Sequence, residues 1–128
     1  MGRGYWVSRA ALAGLYCALV FIVCTVAVPH TVKGALWSDK AQHLLAFFVL
    51  EILIARAYTA WRDGSLWRAH RFALAFAIGY GGVIELWQGL LPWRSMELLD
   101  WIADAAGSLV GAIASLLWYR VSQRRPCK

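Results

Sequence analysis

Four apolar stretches of about 20 residues, separated by short polar connectors, constrain the fold of this chain more than any other feature. A helix of that length rises about 30 Å, which matches the thickness of the hydrocarbon core of a bilayer. Hydrophobic residues make up 61% of the chain and charged residues 16%, against roughly a quarter charged in soluble domains. The stretches cover residues 10–28, 41–60, 72–91 and 98–119. We therefore predict an all-α, polytopic membrane protein with four transmembrane helices, formed by residues 1–128 as a single domain.

The basic residues fall mostly on one side of this predicted topology. The chain carries 13 Lys and Arg against 7 Asp and Glu, a formal net charge of +6. Nine of the basic residues lie before the first stretch, between the second and third, or after the fourth, and three lie in the other connectors. Because an excess of positive charge marks the cytoplasmic side, both termini are expected in the cytoplasm. The same placement in connectors, rather than along one face, argues against a nucleic-acid partner and favours membrane lipids.

Polar and ionisable side chains interrupt the apolar stretches near the predicted outer face. A carboxylate at the centre of a transmembrane helix costs about 2.5–3.5 kcal/mol, so such residues commonly have a function. Since the predicted helices alternate in direction, the start of the second, the end of the third and the start of the fourth lie at similar depths. We expect the following side chains to converge there in a polar pocket that opens outward: Asp39, Lys40, His43, Glu85, Gln88, Arg94, Asp100 and Asp104.

Helical spacing places the acidic side chains on faces that also carry small residues. Residues four apart stack on one side of a helix, as do residues seven and eleven apart. The fourth stretch has one such stripe: Asp100, Asp104, Gly107 and Gly111. Glycines let two helices approach closely. The stripe is therefore expected to face the interior of the bundle, together with its carboxylates.

The polar pattern of residues 36–119 resembles that of the VanZ-like family of small bacterial membrane proteins. The resemblance rests on two segments, SDKAQHLLAFFVL at 38–50 and GVIELWQGLLPWRSMELLDWIADAAGSLVG at 82–111. Members of that family open one helix with Asp-Lys…His and close the next with Glu…Gln. An Arg and an Asp…Asn/Asp pair then precede a Gly-rich helix. The matching positions in this chain are Asp39, Lys40, His43, Glu85, Gln88, Arg94, Asp100 and Asp104.

The resemblance implies a multi-pass protein of the bacterial cytoplasmic membrane with a role at the cell envelope, and it implies no specific reaction. The family takes its name from a member linked to resistance to the glycopeptide antibiotic teicoplanin. The position of Asp104 is often Asn in the family, so an extra negative charge is expected in this pocket. Glu51 falls outside the family pattern and is expected either to be protonated or to pair across the bundle. His30 and His70 lie in connectors and are expected to be solvated, outside the site.

Binding of a headgroup is the function that we favour from the sequence. Lys40 and Arg94 at the rim of the pocket suit the phosphate of an anionic lipid or of a lipid-linked cell-wall precursor. The binding residues would be Asp39, Lys40, Gln88, Arg94 and Asp104, with the acids accepting sugar hydroxyls or holding a bridging cation. An accessory subunit of a larger membrane complex belongs to the same class of function.

Two alternatives stay open. In a metal-assisted hydrolase or transferase acting on a lipid headgroup, the catalytic residues would be His43, Glu85 and Asp100, with His43 as the acid or base. Glu85, Asp100 and Asp104 would then hold a divalent cation, for which Mg²⁺, Mn²⁺ or Ca²⁺ fits such ligands better than Zn²⁺. In the other alternative, the polar side chains form hydrogen bonds and ion pairs only with one another, and their role is to hold the helices in register.

Overall fold

The computed structural model describes residues 3–26, 39–62 and 65–123, and all regular secondary structure in these ranges is helical. The four helices are α1 (Arg3–Thr25), α2 (Asp39–Trp61), α3 (Leu66–Gln88) and α4 (Leu98–Gln123). The predicted all-α class is confirmed. Two helices begin earlier than the predicted stretches: α1 begins at Arg3 rather than at residue 10, and α3 begins at Leu66 rather than at residue 72. Polar residues that the sequence assigned to a connector therefore belong to the first turns of this helix.

Three of the four helices are long and apolar enough to cross a membrane. They span Tyr5–Thr25, Lys40–Trp61 and Leu98–Gln123, with mean hydropathies of 2.0, 1.7 and 1.4. The chain is thus a membrane protein by the length and composition of its helices. The 23-residue helix α3 is outside this group because Arg68 and Arg71 near its start, and Glu85 near its end, make it more polar.

Successive helices run in opposite directions, and α2 packs against each of the other three. At one end of the bundle α1 and α3 finish, while α2 and α4 begin. Two contacts define this end: Arg94 bonds to the carbonyl of Cys24, and Lys40 bonds to Asp100. We call it the cluster end. Because α2 and α4 both start there, they run parallel to each other, and α3 returns the chain between them.

Small residues allow α4 to lie directly on the backbone of α2. The contact between these two helices is the most extensive in the bundle. A Cβ atom added at Gly107 would collide with the backbone carbonyl of Leu44. One added at Gly111 would lie 2.7 Å from the carbonyl oxygen of Phe48. The expected inward orientation of this glycine stripe is confirmed, since both residues are buried.

A second small-residue stripe lines the buried face of α3. Its members recur every four residues and are all buried: Ala69, Ala73, Ala77 and Gly81. Small side chains at this spacing let α3 approach its neighbours, as in other membrane helix pairs. At Gly81 an added Cβ would lie 2.7 Å from the Asp104 Oδ2 atom, so the missing side chain makes room for that carboxylate.

Candidate functional site

Three helices each contribute one buried ionisable side chain to a compact group at the cluster end. His43 comes from α2, Glu85 from α3 and Asp104 from α4, with 6%, 1% and 0% of their surfaces exposed. One nitrogen or oxygen atom from each lies within 4.8 Å of the others. We call these three residues the acid–histidine cluster. The convergence expected from alternating helix directions is therefore present for this part of the predicted site.

Hydrogen bonds and an ion pair link the acid–histidine cluster to the surface. The Nδ1 atom of His43 is hydrogen-bonded to Asp104 Oδ1 at 2.9 Å, and its Nε2 lies 3.9 Å from Asp100 Oδ2. The Lys40 ammonium donates to Asp100 Oδ1 at 3.0 Å and to Glu97 Oε2 at 3.2 Å. Lys40 is partly exposed, whereas Asp100 is buried, so this ion pair lies at the boundary between the surface and the cluster.

The two carboxylates of the cluster keep oxygen atoms that no described residue satisfies. Glu85 Oε2 accepts a hydrogen bond of 2.9 Å from the backbone N–H of Glu97, immediately before α4 begins. Its second oxygen, Oε1, and Asp104 Oδ2 are buried and accept no hydrogen bond from the described part of the chain. Buried polar atoms are nearly always paired, so each of these oxygens requires a proton, a water molecule or a ligand as its partner.

The predicted outward-opening pocket is described only in part. Asp39 is the first residue of α2, but its side chain lies outside the described part of the structure. Residues 27–38, which connect α1 to α2 and include His30, lie outside it as well. Whether the cluster opens to the outer side therefore stays a prediction.

Gln88 and Arg94, both expected in the pocket, bind the end of α1. Gln88 Nε2 and Arg94 Nε donate to the carbonyl oxygen of Cys24, at 2.8 Å and 3.0 Å. The indole N–H of Trp93 donates to the neighbouring carbonyl of Thr25 at 3.0 Å. The last carbonyls of a helix have no partner within it, and a positive charge is favourable there. These three side chains therefore anchor the C-terminus of α1 to the end of α3 and to the segment that follows it.

Replacement of Gln88 by leucine tests this anchor. The Gln88→Leu variant keeps a side chain of similar size but leaves a buried carbonyl with one donor fewer, at a cost of about 1–2 kcal/mol. We expect a lower midpoint of thermal unfolding in mild detergent. The matched control is Gln123→Leu at the exposed end of α4, which should change stability by no more than about 0.5 kcal/mol. Equal midpoints for the two variants would contradict an anchoring role.

A second buried pair lies deeper in the bundle, where α2 faces the first turns of α3. His70 Nδ1 is hydrogen-bonded to Glu51 Oε1 at 2.6 Å, and the two residues are 2% and 0% exposed. The expectation that His70 is solvated is wrong, because α3 begins early enough to place it on the buried alanine face. For Glu51, pairing across the bundle is confirmed. Its other oxygen, Oε2, is buried next to Gly111 and accepts no hydrogen bond from the described residues.

The balance of charge at the cluster end sets its chemistry. Three buried acids, Glu85, Asp100 and Asp104, surround one imidazole, and Lys40 pairs with only one of them. Such an arrangement can bind a cation, can accept hydrogen bonds from hydroxyl groups, and can hold three helices together. No protein-family model, curated protein or solved structure matches this chain, so its function must be inferred from its residues and their geometry.

Proposed function

We propose that this chain is a VanZ-like, multi-pass protein of the bacterial cytoplasmic membrane, with four spans and both termini in the cytoplasm. We propose further that its cluster end binds the headgroup of an anionic lipid or of a lipid-linked cell-wall precursor. The parallel course of α2 and α4 supports four spans, because α3 must cross the same layer to return the chain between them. The buried alanine stripe of α3 fits a helix packed inside a membrane bundle.

The position of Lys40 is the observation that carries the binding proposal. Its side chain is 43% exposed, yet its ammonium touches the buried carboxylate of Asp100. The other partner, Glu97, is 49% exposed, and a lipid phosphate can take its place on the ammonium. A phosphate bound there would lie above the buried acids. Their carboxylate oxygens can accept hydrogen bonds from the hydroxyl groups of a sugar or glycerol headgroup.

Arg94 supplies a second cationic group at the cluster end. Only its Nε–H takes part in the described hydrogen bond to Cys24. The four N–H groups on its terminal nitrogens form a planar fork, which suits two-pronged contact with a phosphate. Arg94 can therefore anchor α1 and bind a headgroup at the same time.

Lipid retention by the purified protein tests this proposal. The full chain is extracted in mild detergent, incubated with phosphatidylglycerol or phosphatidylcholine, washed, and examined by native mass spectrometry. We expect the wild type to retain phosphatidylglycerol preferentially. Loss of one charge-assisted contact should weaken that retention about tenfold in Lys40→Gln and in Arg94→Gln.

The control for lipid retention is Arg120→Gln, which removes an equally basic side chain from the last turn of α4, at the opposite end of the bundle. It should retain phosphatidylglycerol as the wild type does. Equal losses in all three variants would show a general attraction of positive charge to anionic lipid, and the proposed headgroup site would be refuted.

A structural role is the second candidate, and the bonds from Gln88 and Arg94 to Cys24 favour it. In that case the polar side chains hold helix ends together and bind nothing else. Arg94→Gln would then lower the midpoint of thermal unfolding while leaving lipid retention unchanged. The two readouts therefore separate this role from headgroup binding.

A further inference from the structure

We propose that the acid–histidine cluster, His43, Glu85 and Asp104, binds a divalent transition-metal ion. Its three side chains offer one imidazole nitrogen and two carboxylate oxygens within 4.8 Å of one another. Ligands at about 2.0–2.2 Å from a tetrahedral ion lie roughly 3.5 Å apart, so the three side chains would draw together when the ion binds. Within residues 3–26, 39–62 and 65–123, no other group of three such side chains is close enough to bind one ion.

The unsatisfied carboxylate oxygens are an independent indication of a ligand. Glu85 Oε1 and Asp104 Oδ2 are buried without a hydrogen-bond donor in the described part of the chain, and both belong to the cluster. Two carboxylates buried together repel each other and lose their hydration. A divalent cation balances their two negative charges and gives both oxygens a partner. The same ion would join α2, α3 and α4.

Asp100 is not among the proposed ligands, although the sequence suggested it. It pairs with the Lys40 ammonium at 3.0 Å, which keeps a positive charge on that side of the cluster. His43 takes its place in the ligand set. An ion bound by His43 and Asp104 would replace the hydrogen bond between His43 Nδ1 and Asp104 Oδ1. Asp100, whose Oδ2 lies 3.9 Å from His43 Nε2, is placed to orient the imidazole, as carboxylates near metal-bound histidines do.

The mixed ligand set selects the class of ion. Ca²⁺ and Mg²⁺ prefer ligands made of oxygen alone, whereas imidazole suits Zn²⁺ and other first-row transition metals. Mn²⁺ accepts carboxylates as readily as Mg²⁺ does. We therefore expect Mn²⁺ or Zn²⁺ to bind more tightly than Ca²⁺ or Mg²⁺.

Three protein ligands leave at least one coordination position for another group. In a protein that binds a headgroup at the cluster end, a phosphate oxygen fits that position, with Lys40 beside it. This second step rests on the proposed function, whereas the metal site itself does not.

Metal content and affinity of the full chain in detergent test the site. The wild type is stripped with EDTA, desalted, and titrated separately with MnCl₂, ZnCl₂ and MgCl₂ while binding is followed by calorimetry. We expect about one Mn²⁺ or Zn²⁺ per chain and a midpoint of thermal unfolding several degrees higher with the ion than without it. Removal of a residue that only hydrogen-bonds to a metal ligand weakens metal binding about 10–100-fold. The substitutions Glu85→Gln and Asp104→Asn should therefore raise the Kd for the ion about a hundredfold or more.

Glu51→Gln is the matched control, because it makes the same change at a buried carboxylate outside the cluster. It should keep the Kd of the wild type. If the wild type takes up neither Mn²⁺ nor Zn²⁺ in stoichiometric amount, or if Glu51→Gln weakens binding as much as Glu85→Gln, the metal site is refuted. The wild-type result decides even where a variant fails to fold.

Lipid retention with and without EDTA separates this inference from the proposed function. Retention that falls when the ion is removed supports both, and the phosphate then binds through the metal. Metal binding without selective lipid retention supports the metal site and refutes the headgroup function. Retention that persists in a protein that binds no metal refutes the site and leaves the headgroup function standing.

Discussion

Gly107→Ala is expected to be the most damaging small substitution in this protein. The added methyl group would overlap the carbonyl carbon and oxygen and the Cα atom of Leu44. These are backbone atoms in the second turn of α2, so no side-chain rotation can relieve the overlap, and the two helices must separate. Overpacking commonly costs about 1–3 kcal/mol, and a collision with backbone should exceed that range. Because α2 and α4 form the largest helix contact, we expect loss of the monodisperse folded protein on size-exclusion chromatography.

Gly79→Ala is the control for this prediction. The two positions are helical glycines and receive the same methyl group, but nothing lies within 4 Å of a Cβ at Gly79. Its stability should be unchanged or higher by up to about 1 kcal/mol, because alanine is the better helix former. Gly111→Ala should fall between the two, since its Cβ would lie 2.7 Å from the Phe48 carbonyl oxygen. Unaltered chromatography and unfolding of Gly107→Ala would mean that α2 and α4 do not pack as described.

His70→Leu is expected to have the next largest effect. The substitution keeps much of the buried volume but removes the only described hydrogen-bond partner of Glu51, which is fully buried. Breaking a buried acid–base pair on one side commonly costs about 3–5 kcal/mol. We expect a strongly reduced midpoint of thermal unfolding in detergent.

The double variant Glu51→Leu/His70→Leu tests whether the pair, rather than the shape of His70, is responsible. Buried ion pairs can often be replaced by apolar residues of similar volume with little loss, or even a gain, in stability. The double variant should therefore be more stable than His70→Leu alone. A double variant less stable than either single variant would show that the two positions are sensitive to packing, and the explanation through the pair would fail.

The convergence of the acid–histidine cluster could be predicted because it depends on few physical rules. Hydropathy located the helices, and their alternating directions placed His43, Glu85 and Asp104 at one depth. Helical spacing then assigned Asp104 to the same stripe as Gly107 and Gly111, which the structure places against α2. Each inference used only the period of a helix and the order of helices along the chain.

The burial of His70 was not predicted from hydropathy and helix order. Arginines on both sides gave its surroundings the composition of a solvated connector, and the apolar stretch was taken to begin at residue 72. The signal that could have found it is the spacing of Ala69, Ala73 and Ala77, which extends the helix backwards from residue 72 by nearly one turn and so includes His70. His70 lies three residues before Ala73 and so shares its face.

The partners of Gln88 and Arg94 were missed for a different reason. Both side chains bind a main-chain carbonyl of α1, and a sequence pattern of side chains carries no information about which helix end will lie opposite. Their polarity at the membrane boundary was consistent with a pocket and equally with a helix anchor. Three-dimensional placement was needed to distinguish the two.

The anchoring of α1 has a consequence for biosynthesis. The side chains that bind its C-terminus follow it by 64 and 70 residues in the chain, so they do not exist when the ribosome finishes this helix. At about 5–20 residues per second, roughly 3–14 s pass before they are made. The C-terminus of α1 is therefore fastened only after α3 has been made. A nascent chain arrested before Gln88 should leave α1 accessible to cross-linking with the insertion machinery, and one arrested after α4 should not.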